Sequence, residues 1–303
     1  MRGQLSKLPV PASIPEFQRR SLPPQIALLA LPVAFVVTQL GVAIVRDGAL
    51  WLLVHRVEQP GTAEAVATLL AMGTNSLLLL AVAVVVPMTV GRAVGRAERQ
   101  SVGGASLAWL QPRPAPLGVF LAAALGTVAL GPLADLLMAS MAAWLPGWTL
   151  GSMHLLHDLA QRHSAWVLWP FLALLPGVAE EVFFRGMLQR AFVRPNVAIS
   201  VSAGAFALFH LDPHHVMGVL PLGFFLSWVA QRHGLAVTVF AHVVNNTVAL
   251  CSAQVPDLDV GYGTETPLPF YWVPVGLVTA AFAMRVLRTN RPAGSGPSEH
   301  PVL

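Results

Sequence analysis

The chain has 303 residues, 55% of them hydrophobic and 11% charged, with a mean hydropathy of +0.65. A soluble globular domain carries about 25% charged residues, so this composition excludes a water-exposed body of this size and reads as an integral membrane protein. The formal net charge is +4, but the basic residues are spread between apolar runs and form no dense patch, which argues against a nucleic-acid partner.

A polar N-terminal segment, residues 1–24, leads into the first apolar run without a clear small-residue cleavage site, so that run reads as a retained helix rather than a removed signal. A membrane span needs about 20 mostly apolar residues. Eight stretches qualify as candidates: 25–45, 65–90, 116–143, 166–188, 197–212, 215–231, 234–252 and 269–287. The expected fold is therefore all-α, a polytopic bundle of about eight transmembrane helices. The fifth and sixth candidates are short, and Pro213 within "LDPHH" predicts a break between them. N-terminal transmembrane helices occupy 25–143, an outer loop 144–165 and the chemically distinctive helices 166–287. Residues 288–303 have the composition of a disordered tail. No internal repeat is visible. The one cysteine, Cys251, permits no intrachain disulfide. Arginine outnumbers lysine 17 to 1, a bias that suggests a GC-rich bacterial genome and hence the bacterial inner membrane.

Basic residues set the orientation. With both termini in the cytoplasm, 15 of the 18 Lys and Arg residues fall inside, leaving Arg46, Arg56 and Arg162 outside. The acidic stretch with Asp257, Asp259 and Glu265 also falls outside.

The fourth candidate span carries "EEVFFR" (180–185) where apolar residues belong. A charge at the bilayer centre costs about 2.5–3.5 kcal/mol on insertion scales, so these groups need partners or a function. Arg185 alone could be a snorkelling helix end; two adjacent glutamates beneath it are harder to explain that way. Glu181 and Arg185 are four apart on one helical face with the acid first, the favoured order for an ion pair. Glu180 is rotated by about 100° and is left as the unpaired carboxylate. Further polar groups follow in "FALFH" (206–210) and "HVVNN" (242–246), where His242 and Asn246 share a face. A lone intramembrane histidine is more often a packed residue bonded to a carbonyl, and a lone asparagine is more often interhelical glue. A carboxylate, two imidazoles and a carboxamide within three helices are harder to attribute to chance. Ala203, Gly204 and Ala205 let the helices approach closely. At 1.5 Å per residue, Glu180 and His242 both lie about 12 Å from the inner helix ends and His210 about 20 Å, a mismatch that tilt or a submerged turn at Pro195–Asn196 has to close.

These motifs resemble the CPBP intramembrane proteases, a family that groups type II CAAX-processing endopeptidases with bacteriocin-processing and immunity proteins. The family pattern is EExxxR, FxxxH and HxxxN in that order, and the resemblance covers about 165–252. It implies a peptidase opening toward the cytoplasm, with a peptide or membrane-protein substrate presented in the lipid bilayer. It implies that Glu180 and His210 activate a water, that His242 and Asn246 stabilise the oxyanion, and that Glu181 and Arg185 support the site. No serine or cysteine sits with a matching base.

Glu180, His210 and His242 are also a zinc ligand set with an open position. No H-E-x-x-H occurs, Glu181 is committed to Arg185, and Asn246 suits an oxyanion better than zinc. The favoured reading has no cofactor, with zinc as the alternative. The alternative to an enzyme is a transporter or an immunity scaffold with a structural Glu-His-Asn cluster; transporters often carry repeated halves, which are not visible here. His154, His157 and Asp158 read as an amphipathic interfacial helix rather than a metal site. His210, Asp212 and His214 make a weaker ligand set because Pro213 disrupts their common face. Asp135, alone in the third span, is expected either to bond a neighbouring helix or to line a cavity.

Overall fold

The computed structural model describes residues 22–98 (apart from 55, 58 and 59), 114–148, 152–255 and 268–290. The expected N-terminal segment and C-terminal tail, most of the second connection and the acidic stretch at 257–265 lie almost wholly outside these residues. Among the described residues the chain is helical and has no strand. In chain order the helices are α1 (Pro24–Leu53), α2 (Pro60–Glu98), α3 (Leu117–Ala129), α4 (Gly131–Trp144), α5 (Ser152–Arg162), α6 (Ala165–Ala191), α7 (Pro195–Leu208), α8 (Pro213–His233), α9 (Leu235–Gln254) and α10 (Trp272–Thr289).

Five stretches are long and apolar enough to cross a membrane: Pro24–Leu53, Gly61–Val90, Leu117–Trp144, Ala165–Ala191 and Leu235–Gln254. The other three expected spans are also helical but fall short of that standard, so five of the eight rest on length and composition. α7 stops at Leu208, before the expected 212, and has 14 residues.

Three departures from uniform spans have local causes. The expected helix 116–143 breaks at Leu130, whose N–H turns back to Thr127 O at 3.1 Å. Pro132 supplies no N–H and its ring crowds the carbonyl four residues earlier. α6 is not a plain α-helix. It is α-helical at 165–169 and 175–180, π-helical at 170–174 and 181–188, and ends in a 3₁₀ turn at 189–191. Pro170 and Pro176 interrupt its four-residue ladder, and Leu175 N–H reaches five residues back to Pro170 O. The "LDPHH" break is present as expected. Leu211 takes a left-handed φ of 61°, and Asp212 caps α8 by accepting from His214 N at 3.1 Å.

α9 is the central helix, touching α3, α5, α6 and α8. One core cluster joins Phe183, Phe184, Met187 and Leu188 of α6 to Phe206 of α7 and to alanines of α1 and α2. A second packs α3 against α8, α9 and α10. A third closes α5 over α2, α6 and α9. The expected amphipathic helix at 154–163 is α5: Leu159 and Ala160 are buried while His154 and Asp158 are exposed. Asp135 bonds outside its own helix, accepting from Leu268 N at 2.6 Å just before α10, and does not line the cavity described below.

Candidate active site

α6 presents two carboxylates with different surroundings. Glu181 and Arg185 are fully buried and paired at 2.8 Å, the spacing expected of an i,i+4 pair even though the backbone here is π-helical. Arg185 also donates to Gly223 O of α8 at 3.2 Å and lies 4.4 Å over the Phe206 ring. Glu180 keeps 19% of its side chain exposed and lines a cavity of about 560 Å³.

Glu181 is committed to more than the Arg185 with which the sequence pairs it. Its Oε1 also accepts from His242 Nδ1 at 2.9 Å. The other nitrogen of the same ring, Nε2, lies 3.8 Å from Glu180 Oε2. Two neighbouring carboxylates that leave the helix in different directions thus meet one imidazole at its two nitrogens. The carboxylate that lacked a partner in the sequence has His242 as its nearest cation-forming group. Because Glu181 can only accept, Nδ1 of His242 carries a proton, and Nε2 is the nitrogen turned to Glu180.

His210 sits in the turn after α7, where its Nδ1 donates to Phe206 O at 2.9 Å. A carbonyl only accepts, so in the neutral ring Nε2 holds the free lone pair. The depth mismatch is smaller than the helix lengths imply. Ser202 Oγ donates to Phe184 O at 3.1 Å and sets the register of α7 on α6. From that level Glu180 is about 6 Å and His210 about 12 Å further along the bundle, and side-chain reach covers the remainder. Both line the same cavity, together with His242 and Asn246. All four expected site residues are therefore gathered, and the two expected supports, Glu181 and Arg185, lie buried beside them.

Asn245 and His215 escaped the sequence reading, and Phe206 entered it only as part of the FxxxH pattern. Asn245 lines the cavity beside Asn246; three residues from His242 on one helix, it shares that face as Asn246 does at four. His215 also lines the cavity, with its ring centroid 4.5 Å from that of His210. Phe206, the aromatic member of the FxxxH pattern, touches both histidines edge-on, at 5.0 Å from His210 and 5.7 Å from His242. That spacing is typical of T-shaped aromatic pairs and accounts physically for a phenylalanine four residues before the histidine.

Beneath this layer, Gln189 donates to Ser227 O at 2.8 Å and Ser227 to Ser202 Oγ at 3.2 Å, tying α6, α7 and α8 together. The cavity lining follows α9 from His242 to Ala253 and includes Arg46 of α1 and Leu156 and His157 of α5. It extends toward the α5 end of the bundle, which is the outer end in the orientation read from the basic residues.

No three or more His, Cys, Asp or Glu side chains among the described residues are gathered as a metal site. Glu180, His210 and His242 share a cavity without forming such a group. His154, His157 and Asp158 do not form one, nor do His210, Asp212 and His214. His214 instead donates through Nε2 to Leu145 O at 3.3 Å.

Comparison with known proteins finds one similarity, over the segment that carries these residues. Residues 162–248 match the family model described as type II CAAX prenyl endopeptidase Rce1-like. This segment is similar to that family. The match covers under a third of the chain and contains every member of the EExxxR, FxxxH and HxxxN patterns. It agrees with the CPBP resemblance and supports a protease in a membrane setting. No curated protein and no solved structure matches the chain.

Proposed function

We propose that this protein is an intramembrane endopeptidase that hydrolyses a peptide bond of a membrane-associated protein or peptide through a carboxylate-activated water. The observation that carries the reading is the placement of Glu180, His210, His242 and Asn246 around one cavity, with His242 bonded from behind by the buried Glu181.

Glu180 is the carboxylate free to take the water proton, and His210 offers Nε2 as a second acceptor beside it. The hydroxide oxygen attacks the peptide carbonyl, and the developing oxyanion is met by Asn246 and by His242. His242 donates through Nε2 when its ring carries both protons. Collapse breaks the C–N bond, and the proton held by Glu180 passes to the leaving nitrogen. An oxyanion donor of this kind is worth about 2.7–4 kcal/mol. Among the described residues no three His, Cys, Asp or Glu side chains are gathered as a metal site, and the steps proposed use the chain's own groups. The setting proposed is the bacterial inner membrane, with both termini cytoplasmic.

Purified protein in detergent or liposomes should release peptide fragments, and membranes from cells with active protein should contain new termini absent from cells with Glu180→Gln. Loss of the general base should lower turnover by about 10²–10⁴-fold. Asn246→Ala should lower it by about 10²–10³-fold. Cleavage should survive exhaustive chelation. Stoichiometric zinc, with activity lost on its removal and restored on its return, would replace this mechanism with one in which Glu180, His210 and His242 are ligands.

A further inference from the structure

His215 has no place in the chemistry above, yet its position is tightly specified. The chain leaves α7 at Leu208, and the turn that follows is closed by Asp212 N bonding to His210 O at 2.7 Å. That turn requires the left-handed φ of 61° at Leu211, a conformation that a leucine rarely adopts and that tends to persist at functional sites. Asp212 then starts α8 by capping His214 N at 3.1 Å, and the His214 side chain anchors this end to Leu145 O, just past α4, at 3.3 Å. The next residue is His215. Its ring meets the His210 ring at 4.5 Å and 68°, and it lines the same cavity.

The His210 ring is thereby held on two sides. Phe206 meets it edge-on at 5.0 Å and 73°, and its Nδ1 is bonded to the Phe206 carbonyl at 2.9 Å. His215 supplies the contact on α8. Without it the imidazole could swing about its side-chain torsions and lose the orientation that turns Nε2 to the cavity. A base displaced by about 1 Å can cost about 10²-fold in rate.

We propose that His215 is a positioning residue: through ring contact it holds the His210 imidazole with Nδ1 on the Phe206 carbonyl and Nε2 toward the cavity. Its consequence for rate rests on the proposed role of His210 as a proton acceptor, whereas its consequence for ring orientation does not.

The test therefore has one arm independent of hydrolysis. In full-length protein labelled with ¹⁵N-histidine, the Nδ1–H signal of His210 is assigned by its loss in His210→Gln. It should be weakened or lost in His215→Ala, and in His215→Leu should the alanine variant fail to accumulate. It should persist in His215→Phe, which keeps an aromatic edge. In the hydrolysis arm, His215→Ala should lower kcat by at least about tenfold with KM within about twofold. His215→Phe should restore most of it. In a His210→Gln background, His215→Ala should have no further effect. An unchanged His210 signal in the alanine or leucine variant overturns the proposal, as does a phenylalanine variant no better than alanine. An altered signal in a wild-type protein that cleaves nothing sustains the positioning role and removes the proposed function instead.

Discussion

Glu180 and Glu181 are adjacent in sequence, and their side chains meet opposite requirements. Glu181 is fully enclosed, with Arg185 at 2.8 Å and His242 at 2.9 Å; its charge is tolerable only because both partners are present. Glu180 borders the cavity with 19% of its side chain exposed, and its neighbour His242 keeps Glu181 on its other nitrogen, so neutralising Glu180 leaves no buried charge alone. Breaking a buried pair by deleting one member costs about 3–5 kcal/mol because the other charge is left uncompensated. Glu181→Ala and Arg185→Ala should therefore lower thermal stability in detergent sharply, while Glu180→Gln leaves it near wild type. Equal losses for Glu180→Gln and Arg185→Ala would reverse these assignments. The Glu181–Arg185 pair was legible in the sequence because it is local, set by a four-residue spacing. The bond from Glu181 to His242 was not, because it joins residues 61 positions apart and depends on how α9 packs on α6.

That packing depends at the level of elements on one close approach. Gly177 lies one turn before the glutamates, and Val243 follows His242. A Cβ placed on Gly177 would sit 2.7 Å from Val243 Cγ2 and 3.2 Å from Val243 N, closer than the β-branched neighbour or its backbone can accept. Hydrogen at this position allows α9 to approach until His242 reaches both carboxylates. Gly177→Val should push the helices apart and cost about 1–3 kcal/mol of stability. Among the molecules that remain folded, turnover should fall by about 10²-fold. Normal turnover in a stably folded Gly177→Val protein would show that the helix spacing is not what aligns the site. Helix placement was mostly visible from apolar length, and the α7–α8 break from Pro213. The break at Leu130 and the π-helical turns of α6 were not anticipated, although Pro132, Pro170 and Pro176 were the signals. A proline inside an apolar run marks a disturbed ladder without specifying whether the chain will break, as at Leu130, or widen, as in α6.

For the molecule as a whole, lipid and packing impose different requirements on the helices. α1 exposes large apolar side chains such as Leu29, Val33, Leu40 and Ile44, whereas its Ala27, Ala30 and Ala34 are buried against the core. A bilayer accommodates the first set, and close helix packing uses the second. The same logic explains why composition identified the environment while the number of crossings stayed less determinate. Apolar length decides the five long spans. α7, α8 and α10 are held by neighbours and polar bonds, such as the Ser202 and Ser227 contacts, that no sliding window registers. The proposed orientation rests on the arginines, which would put the turn at Arg194 inside and the turn after α4 outside. In a Cys251→Ser background, which removes the exposed native thiol, cysteines at Gly147 and Ser164 should react with an impermeant reagent added outside intact cells. Cysteines at Asn196 and Asn290 should react only after permeabilisation. The converse pattern would invert the molecule and turn the α5 end of the cavity, with His157 and Arg46 in its lining, toward the cytoplasm. Substrate would then approach from the side that the family resemblance implies, so this labelling decides which membrane face supplies the substrate as well as which way the chain is threaded.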